Sequence, residues 1–267
     1  MPQASAPGIV EAVENAQRAQ RFRFRLLFAL TWAVTVGGLI ALLVAARKVD
    51  LAFIQEQAPF IIAAAPLTIF ISIVSIALAI VFAILGALGR ISRVAPLYAL
   101  ATLYVSLVRG TPLIVQILFI YLALPQFGIV LPALPTGILA LAFNYGAYMT
   151  EIFRAGIQAV PRGQLDAAKA LGMTDRDTLR RIVLPQALRI VTPAIGNEFI
   201  AMIKDSALVS IVGVQEMLFF ARVIGSQNFR SFETFTMAAG IYWVLTIVFS
   251  FFQERLERRL AASDRRI

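Results

Sequence analysis

At 267 residues, 60% of them hydrophobic and with a mean hydropathy of +0.82, the chain carries more apolar surface than a soluble domain can bury, since soluble chains run at about 45–50% apolar. It has no cysteine and no histidine, which excludes disulfides, thiolate or imidazole metal sites, cysteine nucleophiles and a Ser-His-Asp triad. The net charge of +9 is spread between apolar runs rather than gathered in one patch, which argues for membrane topology over nucleic-acid binding.

Residues 1–25 form a polar, Ala/Gln-rich tail holding Arg18, Arg21, Arg23 and Arg25; the composition predicts disorder. The first apolar run, Leu26 to Ala46, has no small-x-small cleavage site after it and reads as a retained helix. Together with an outer loop it occupies residues 26–62. A helix needs about 20 apolar residues to cross a bilayer core of about 30 Å. Pro66 to Leu88 and Phe235 to Phe252 also meet that requirement without interruption.

Between Ala95 and Val130 the apolar run is broken by Arg109-Gly110-Thr111-Pro112. Thr111 is expected to cap a second helix with Pro112 at its first position. The stretch is either two helices joined by a turn, or one span preceded by an interfacial helix. Leu134 to Phe153 is a slightly polar span with Asn144 and Tyr145 inside it and Glu151 and Arg154 at its end. Ile190 to about Gly213 is a further span. Val214 to Ile224, with Gln215, Glu216 and Arg222 among apolar residues, is expected to lie on the outer interface, where it either joins two spans or meets a substrate-delivery protein.

Basic residues flank both ends of the chain, with Arg255, Arg258, Arg259, Arg265 and Arg266 at the carboxyl end. The positive-inside rule then places both termini in the cytoplasm and requires an even number of spans. Taking Ala95–Val130 as one crossing gives six. Arg90, Arg93 and the basic residues between Arg154 and Arg189 then also fall inside, while Arg47, Lys48, Arg222 and Arg230 fall outside. The expected fold is all-α: a polytopic helical membrane protein of about six transmembrane helices, with residues 256–267 as a basic cytoplasmic tail.

The segment 157–189 is a polar loop longer than its neighbours, and loops of that length are usually functional or independently folded. Asp166-Ala167-Ala168-Lys169-Ala170-Leu171 suits a short helix, Gly172 can take the left-handed conformation that ends it, and Thr174 with Asp177 resembles a capping box for a second helix. Pro185 is expected to stop or kink that second helix. By this physics alone the loop is either a docking element or a helical hairpin that ties two spans together.

The loop resembles the signature of ATP-binding-cassette importer permeases: Glu-Ala-Ala, three residues, Gly, nine residues, Ile, one residue, Leu-Pro. Asp166, Ala167, Ala168, Gly172, Ile182, Leu184 and Pro185 hold those places with the full spacing. Asp166 replaces the usual Glu. Glu151 to Ile157, Val160 to Gln164, Arg109 to Pro112 and Lys204 to Leu208 are similar to the branch that imports polar amino acids (histidine, glutamine, glutamate or arginine), although Ala207 stands where Ser is common. The likeness covers roughly residues 63–255, a five-span type I importer core, and leaves the first span as an addition.

This resemblance implies that the loop is a coupling helix docking on cytoplasmic ATP-binding subunits. It implies a second permease subunit, identical or paralogous, an extracytoplasmic amino acid-binding protein, and residence in the bacterial plasma (inner) membrane. The chain itself is expected to be no enzyme. Its three lysines, Lys48, Lys169 and Lys204, do not follow a glycine, so no Gly-Lys-Ser/Thr phosphate loop exists here and ATP with Mg falls to the partner.

Ionisable residues inside a span are costly and are functional candidates by default. Glu198, Ala201, Met202 and Asp205 share a helical stripe and are expected to line one wall of a cavity whose two carboxylates hold the ammonium or cationic side chain of an amino acid. Asn197 is a weaker candidate, as a donor to a substrate carboxylate or as interhelical glue. Lys204 is either a substrate contact or one half of a structural ion pair with Asp205. The rival functions are an ion-coupled secondary transporter or channel working through Glu198 and Asp205, and a membrane scaffold without transport.

Overall fold

The structure is a computed structural model that describes residues 6–45 and 50–264, and among these there is no strand. Arg47, Lys48, Arg265 and Arg266, with the topology assigned to them, and residues 1–5 of the tail lie outside the described residues. The chain divides into two units, Met1–Glu56 and Gln57–Ile267.

In the first unit α1 runs unbroken from Ala6 to Ala45, so the segment expected to be a disordered tail is helical from Ala6 onward. A helix of 40 residues is about 60 Å long, roughly twice what the hydrocarbon core requires. Phe24, Phe28 and Trp32 stack at four-residue spacing along it, with ring centroids 6.5 and 6.1 Å apart. Asp50 opens α2 (Leu51–Ala63) by accepting the Ala52 amide at 3.0 Å.

The second unit is built on the pairing of α3 (Ala65–Ile91) with α6 (Ala133–Gln158). Lipid is as apolar as leucine, so helices in a bilayer associate through close packing and interhelical hydrogen bonds, which favours small residues at the contact. Ala79, Ala83, Ala140 and Ala147 are fully buried. Gly86 lies so close to Thr150 that an added Cβ would stand 2.2 Å from Thr150 Oγ1. Ser75 Oγ donates across the interface to the Ile138 carbonyl at 3.3 Å.

α4 (Ala95–Arg109) packs on both. After Gly110 the chain turns through 105° into α5 (Leu113–Leu118), which continues as a π turn over Phe119–Ala123 and a 3-10 turn over Leu124–Phe127. Ala95–Val130 is therefore a sharply broken element rather than a straight crossing. Thr111 does not cap α5. Its hydroxyl donates to the Leu107 carbonyl at 3.0 Å, closing the end of α4, and Pro112 in extended geometry takes the cap position. The last carbonyls of a helix lack intrahelical partners, and a hydroxyl two residues beyond the end is well placed to satisfy one.

Among the described residues three helical stretches are long and apolar enough to cross a membrane, Glu14–Leu42, Leu51–Ile91 and Ser231–Arg259, or up to five if each of two bent pairs is one span. α6, at 26 residues, is also long enough. Its polar Asn144 and Thr150 are buried inside the bundle, which lowers its hydropathy without presenting polar groups to lipid.

α9 (Leu184–Asp205) passes into a 3-10 segment, Ser206–Val212, and Gly213 in the left-handed region ends it. The chain then bends by 52° into α10 (Met217–Asn228), which pairs antiparallel with the start of α11 (Ser231–Asp264). The segment expected to lie on the outer interface packs one face against the bundle, where Val214, Met217, Ala221 and Ile224 are buried, and leaves Arg222 exposed. Glu216 is fully buried, accepts the Phe219 amide at 2.9 Å as the cap of α10, and receives the Tyr242 hydroxyl on its other oxygen. A carboxylate with both oxygens satisfied can be buried where an unpartnered one cannot.

Candidate functional site

A cavity of about 510 Å³ opens where the break after α4 meets α6 and α9; Arg109, Thr111, Asn144, Tyr145, Tyr148, Glu198 and Asp205 are on its wall. Arg109 sits at the last turn of α4 and its guanidinium lies 5.0 Å from the centre of the Tyr148 ring, a cation–π distance. Asp205 is the last residue of α9, and its Oδ2 accepts the Tyr145 hydroxyl at 2.8 Å. Glu198, half-buried, has Asp205 and Arg109 as its charged neighbours.

The floor of the break is a polar knot. Gln116 Nε2 donates to the Val108 carbonyl at 2.8 Å and to Thr111 Oγ1 at 2.9 Å, and Gln116 Oε1 accepts from Asn144 Nδ2 at 3.3 Å. These bonds replace the ladder that Gly110 and Pro112 interrupt, so the turn carrying Arg109 is held by side chains from α5 and α6.

Of the residues expected at the site, the structure brings Glu198 and Asp205 together and leaves the others elsewhere. At about 100° per residue, Asp205 lies roughly 20° from Glu198 around α9, and Met202 about 40° on the opposite side. Met202 accordingly turns into the apolar core with Ile71, Tyr145 and Met149, with no exposed surface. Asn197 is exposed on another face and accepts from Gln253 Nε2 of α11 at 2.9 Å, which makes it an α9–α11 contact. Lys204 is exposed and does not line the cavity. Arg109, Tyr145 and Tyr148 were not among the expected site residues. The available signal was Arg109 itself, a charge inside an otherwise apolar run.

The loop 157–189 folds as two short helices. α7 (Arg162–Ala170) carries Asp166, Ala167 and Ala168. It ends with Gly172 at φ +72°, the Gly172 amide on the Lys169 carbonyl at 2.9 Å and the Met173 amide on the Ala168 carbonyl at 3.0 Å. That is a Schellman motif, in which the left-handed residue is normally glycine. Thr174 then caps α8 (Asp175–Thr178) by accepting the Asp177 amide at 3.1 Å. A π turn, Leu179–Val183, holds Ile182 and leads into α9, where Leu184 and Pro185 sit in the first turn. Pro185 neither stops nor sharply kinks the run. The π turn absorbs its missing amide, with the Leu184 amide on the Leu179 carbonyl. Ala168 is buried and Leu171 is 81% exposed, so the loop presents an apolar tip.

At the base of the loop Glu151 joins three helices. Its Oε1 accepts Arg90 Nε of α3 at 3.1 Å and its Oε2 accepts Arg154 of α6 at 2.7 Å, while Arg90 also donates to Thr102 of α4 at 2.6 Å. Among the described residues no group of three or more His, Cys, Asp or Glu could hold a metal ion.

Comparison with known proteins places the chain in a family. The family profile described as "Binding-protein-dependent transport system inner membrane component" matches residues 79–262. The "Probable amino-acid permease protein YxeN" of Bacillus subtilis (strain 168) is 38% identical over 218 residues, 80% of this chain and 97% of that one. The "L-cystine transport system permease protein TcyB" of the same organism is 41% identical over 72% of this chain and 83% of its own. A solved structure described as "Crystal structure of an amino acid ABC transporter with histidines" superposes with a TM-score of 0.75 at 40% identity, covering 79% of this chain and 99% of that one.

Proposed function

This chain belongs to the family of binding-protein-dependent transport system inner membrane components and is the permease subunit of an amino-acid ABC importer; from that premise we propose that its substrate passes through the cavity bounded by Arg109, Glu198 and Asp205. The carrying observation is that one guanidinium and two carboxylates, from helices distant in sequence, face one polar space of about 510 Å³. An amino acid zwitterion presents the complementary pair. Arg109, with a planar fork suited to carboxylate, takes the α-carboxylate, and Glu198 takes the α-ammonium. Asp205, oriented by Tyr145, supplies a further negative charge, which favours a substrate with a cationic side chain.

In this reading ATP is hydrolysed by separate cytoplasmic subunits that engage α7 and α8, a second permease subunit completes the pore, and a soluble binding protein delivers the substrate from outside. Both termini and the loop 157–189 face the cytoplasm of a bacterial cell whose inner membrane holds the complex. Support comes from the match of Asp166, Ala167, Ala168, Gly172, Ile182, Leu184 and Pro185 to the importer loop signature and from the two capped short helices that the loop forms.

The test is uptake of arginine, histidine, glutamine and glutamate into proteoliposomes holding the whole complex. Asp205→Asn is expected to raise KM for cationic substrates more than for neutral ones, and Glu198→Gln to raise it for all of them. Unchanged KM and kcat in both variants for every amino acid overturns the cavity assignment.

A further inference from the structure

Among the described residues four take positive φ: Gly128, Gly172, Gly213 and Phe229. Three are glycine, the residue the left-handed region favours. Phe229 is a bulky aromatic at φ +55°, ψ +32°, where a side chain of that size is an outlier. It occupies the residue after the end of α10 in a Schellman-type closure, with its own amide and that of Arg230 both on the Gly225 carbonyl. Gly172 holds the same position at the end of α7. The fold alone therefore calls for glycine or asparagine here.

The ring does not repay this conformation with packing, since Phe229 is 97% exposed. Around it stand the exposed polar side chains of Ser226, Gln227 and Asn228, with the exposed Arg222 one to two turns back on α10. Arg230 alongside is paired with Glu233 at 3.6 Å. The ring of Phe229, with Phe232 half exposed three residues on and Ser226, Gln227, Asn228 and Arg222 as a polar rim, has the anatomy of a protein-contact anchor.

The place in the fold points to the same partner. The run Asp175–Val212 leads away from the loop 157–189, and α10 continues onward with a bend of only 52°. The turn carrying Phe229 thus sits at the end of the bundle opposite α7 and α8. Resting on the reading above, in which α7 and α8 face the ATPase subunits inside the cell, Phe229 faces outside, where the family's binding protein arrives.

We propose that Phe229 is a docking anchor that seats in an apolar socket, rimmed by acidic groups, on the soluble binding protein, and that its unfavourable backbone conformation is retained for that contact. Backbone outliers of this kind collect at functional contacts because nothing in the fold itself rewards them.

The experiment uses the complete complex of permease and ATPase subunits in nanodiscs, with the purified substrate-loaded binding protein as titrant and ATPase stimulation as readout. Phe229→Gly removes the ring while suiting the backbone, so the melting temperature is expected to hold or rise and basal hydrolysis to stay unchanged. The half-saturating concentration of binding protein is expected to rise about tenfold, the loss typical of a hot-spot side chain, and Phe229→Tyr to stay near the parent. In Phe229→Trp, with the parent signal of Trp32 and Trp243 subtracted, added binding protein is expected to shift the emission to the blue.

An unchanged half-saturation in Phe229→Gly overturns the proposal while leaving the importer reading intact. So does quenching of the new tryptophan by brominated lipid before any binding protein is added, which assigns the ring to the bilayer, or loss of the paired permease assembly in Phe229→Gly, which assigns it to a subunit interface. A parent complex that no binding protein stimulates brings down the importer reading and this inference together.

Discussion

The Tyr145 hydroxyl donates to Asp205 Oδ2 at 2.8 Å, joining the middle of α6 to the last residue of α9. Asp205 stands where the α-helix gives way to a 3-10 segment, a point at which its side chain is otherwise free to swing with the backbone. The bond therefore fixes the direction in which the carboxylate faces the cavity. Tyr145→Phe removes only the hydroxyl and keeps the ring in the core. A hydrogen bond to a charged group is worth about 1.5–3 kcal/mol, so KM for uptake of a cationic amino acid is expected to rise by roughly tenfold or more. The complex should remain assembled. An unchanged KM shows that Asp205 is oriented by other means.

Gly172 closes α7 at φ +72° with nothing within 4 Å of where a Cβ would stand. Strain at this position is conformational rather than steric crowding. Gly172→Val combines positive φ with a β-branched side chain and is expected to reset the angle between α7 and α8. Membrane insertion should be normal, and coupling between ATP hydrolysis and uptake should be lost. Gly172→Asn, which tolerates the left-handed region, is expected to retain a substantial part of the coupling. Equal uptake per ATP in the valine variant and the parent refutes the role given to this angle.

The loop was the most legible part of the chain because its determinants are local. Gly172, Thr174 and Asp177 act on backbone groups within a few residues, so spacing alone located the turn and the cap. Hydropathy located α3 and α11 for a similar reason. The cavity was legible only on one helix. Glu198 and Asp205 share a face of α9, but spacing cannot say which flank of that face meets the core, and so Met202 was grouped with them although it packs against α6. Arg109, Tyr145 and Tyr148 come from elements 50 or more residues away in sequence. Their convergence depends on the 105° bend after Gly110 and on the α3–α6 contact, and both are tertiary facts.

That α3–α6 contact yields a stability prediction. Gly86→Ala places a Cβ 2.2 Å from Thr150 Oγ1 and 3.0 Å from its Cγ2, and Thr150 is fully buried with its hydroxyl bonded to the Gly146 carbonyl. Both branches of the threonine are in the way, so a rotamer change does not clear the space. Overpacking of this kind costs about 1–3 kcal/mol, and the detergent-solubilised protein should melt several degrees lower. Adding Thr150→Ala should recover much of the loss, because it removes the atoms that collide. Full stability in Gly86→Ala alone would mean that the helices slide apart at no cost.

Glu151 holds Arg90 and Arg154 with side chains that are 18–29% exposed, sheltered enough that bulk salt screens them weakly. Glu151→Gln leaves two guanidiniums facing a neutral amide, and α3, α4 and α6 lose their common tie just above the loop. A loss of about 2 kcal/mol in stability is expected, changing little between low and moderate salt. A melting temperature equal to that of the parent would show that the cluster contributes nothing net.

Arg109 offers the sharpest separation of charge from geometry. Its guanidinium stacks at 5.0 Å on Tyr148 while facing the same space as Glu198 and Asp205. Arg109→Lys keeps the positive charge but replaces a planar fork with a compact, strongly hydrated ammonium that stacks poorly on an aromatic face. If the α-carboxylate of the substrate is gripped in two-pronged fashion, KM in the lysine variant should rise by roughly tenfold for cationic and neutral amino acids alike, since every amino acid shares that carboxylate. This differs from Asp205→Asn, which is expected to discriminate by side-chain charge. If lysine substitutes without change in KM, Arg109 acts only as a point charge that balances the two carboxylates.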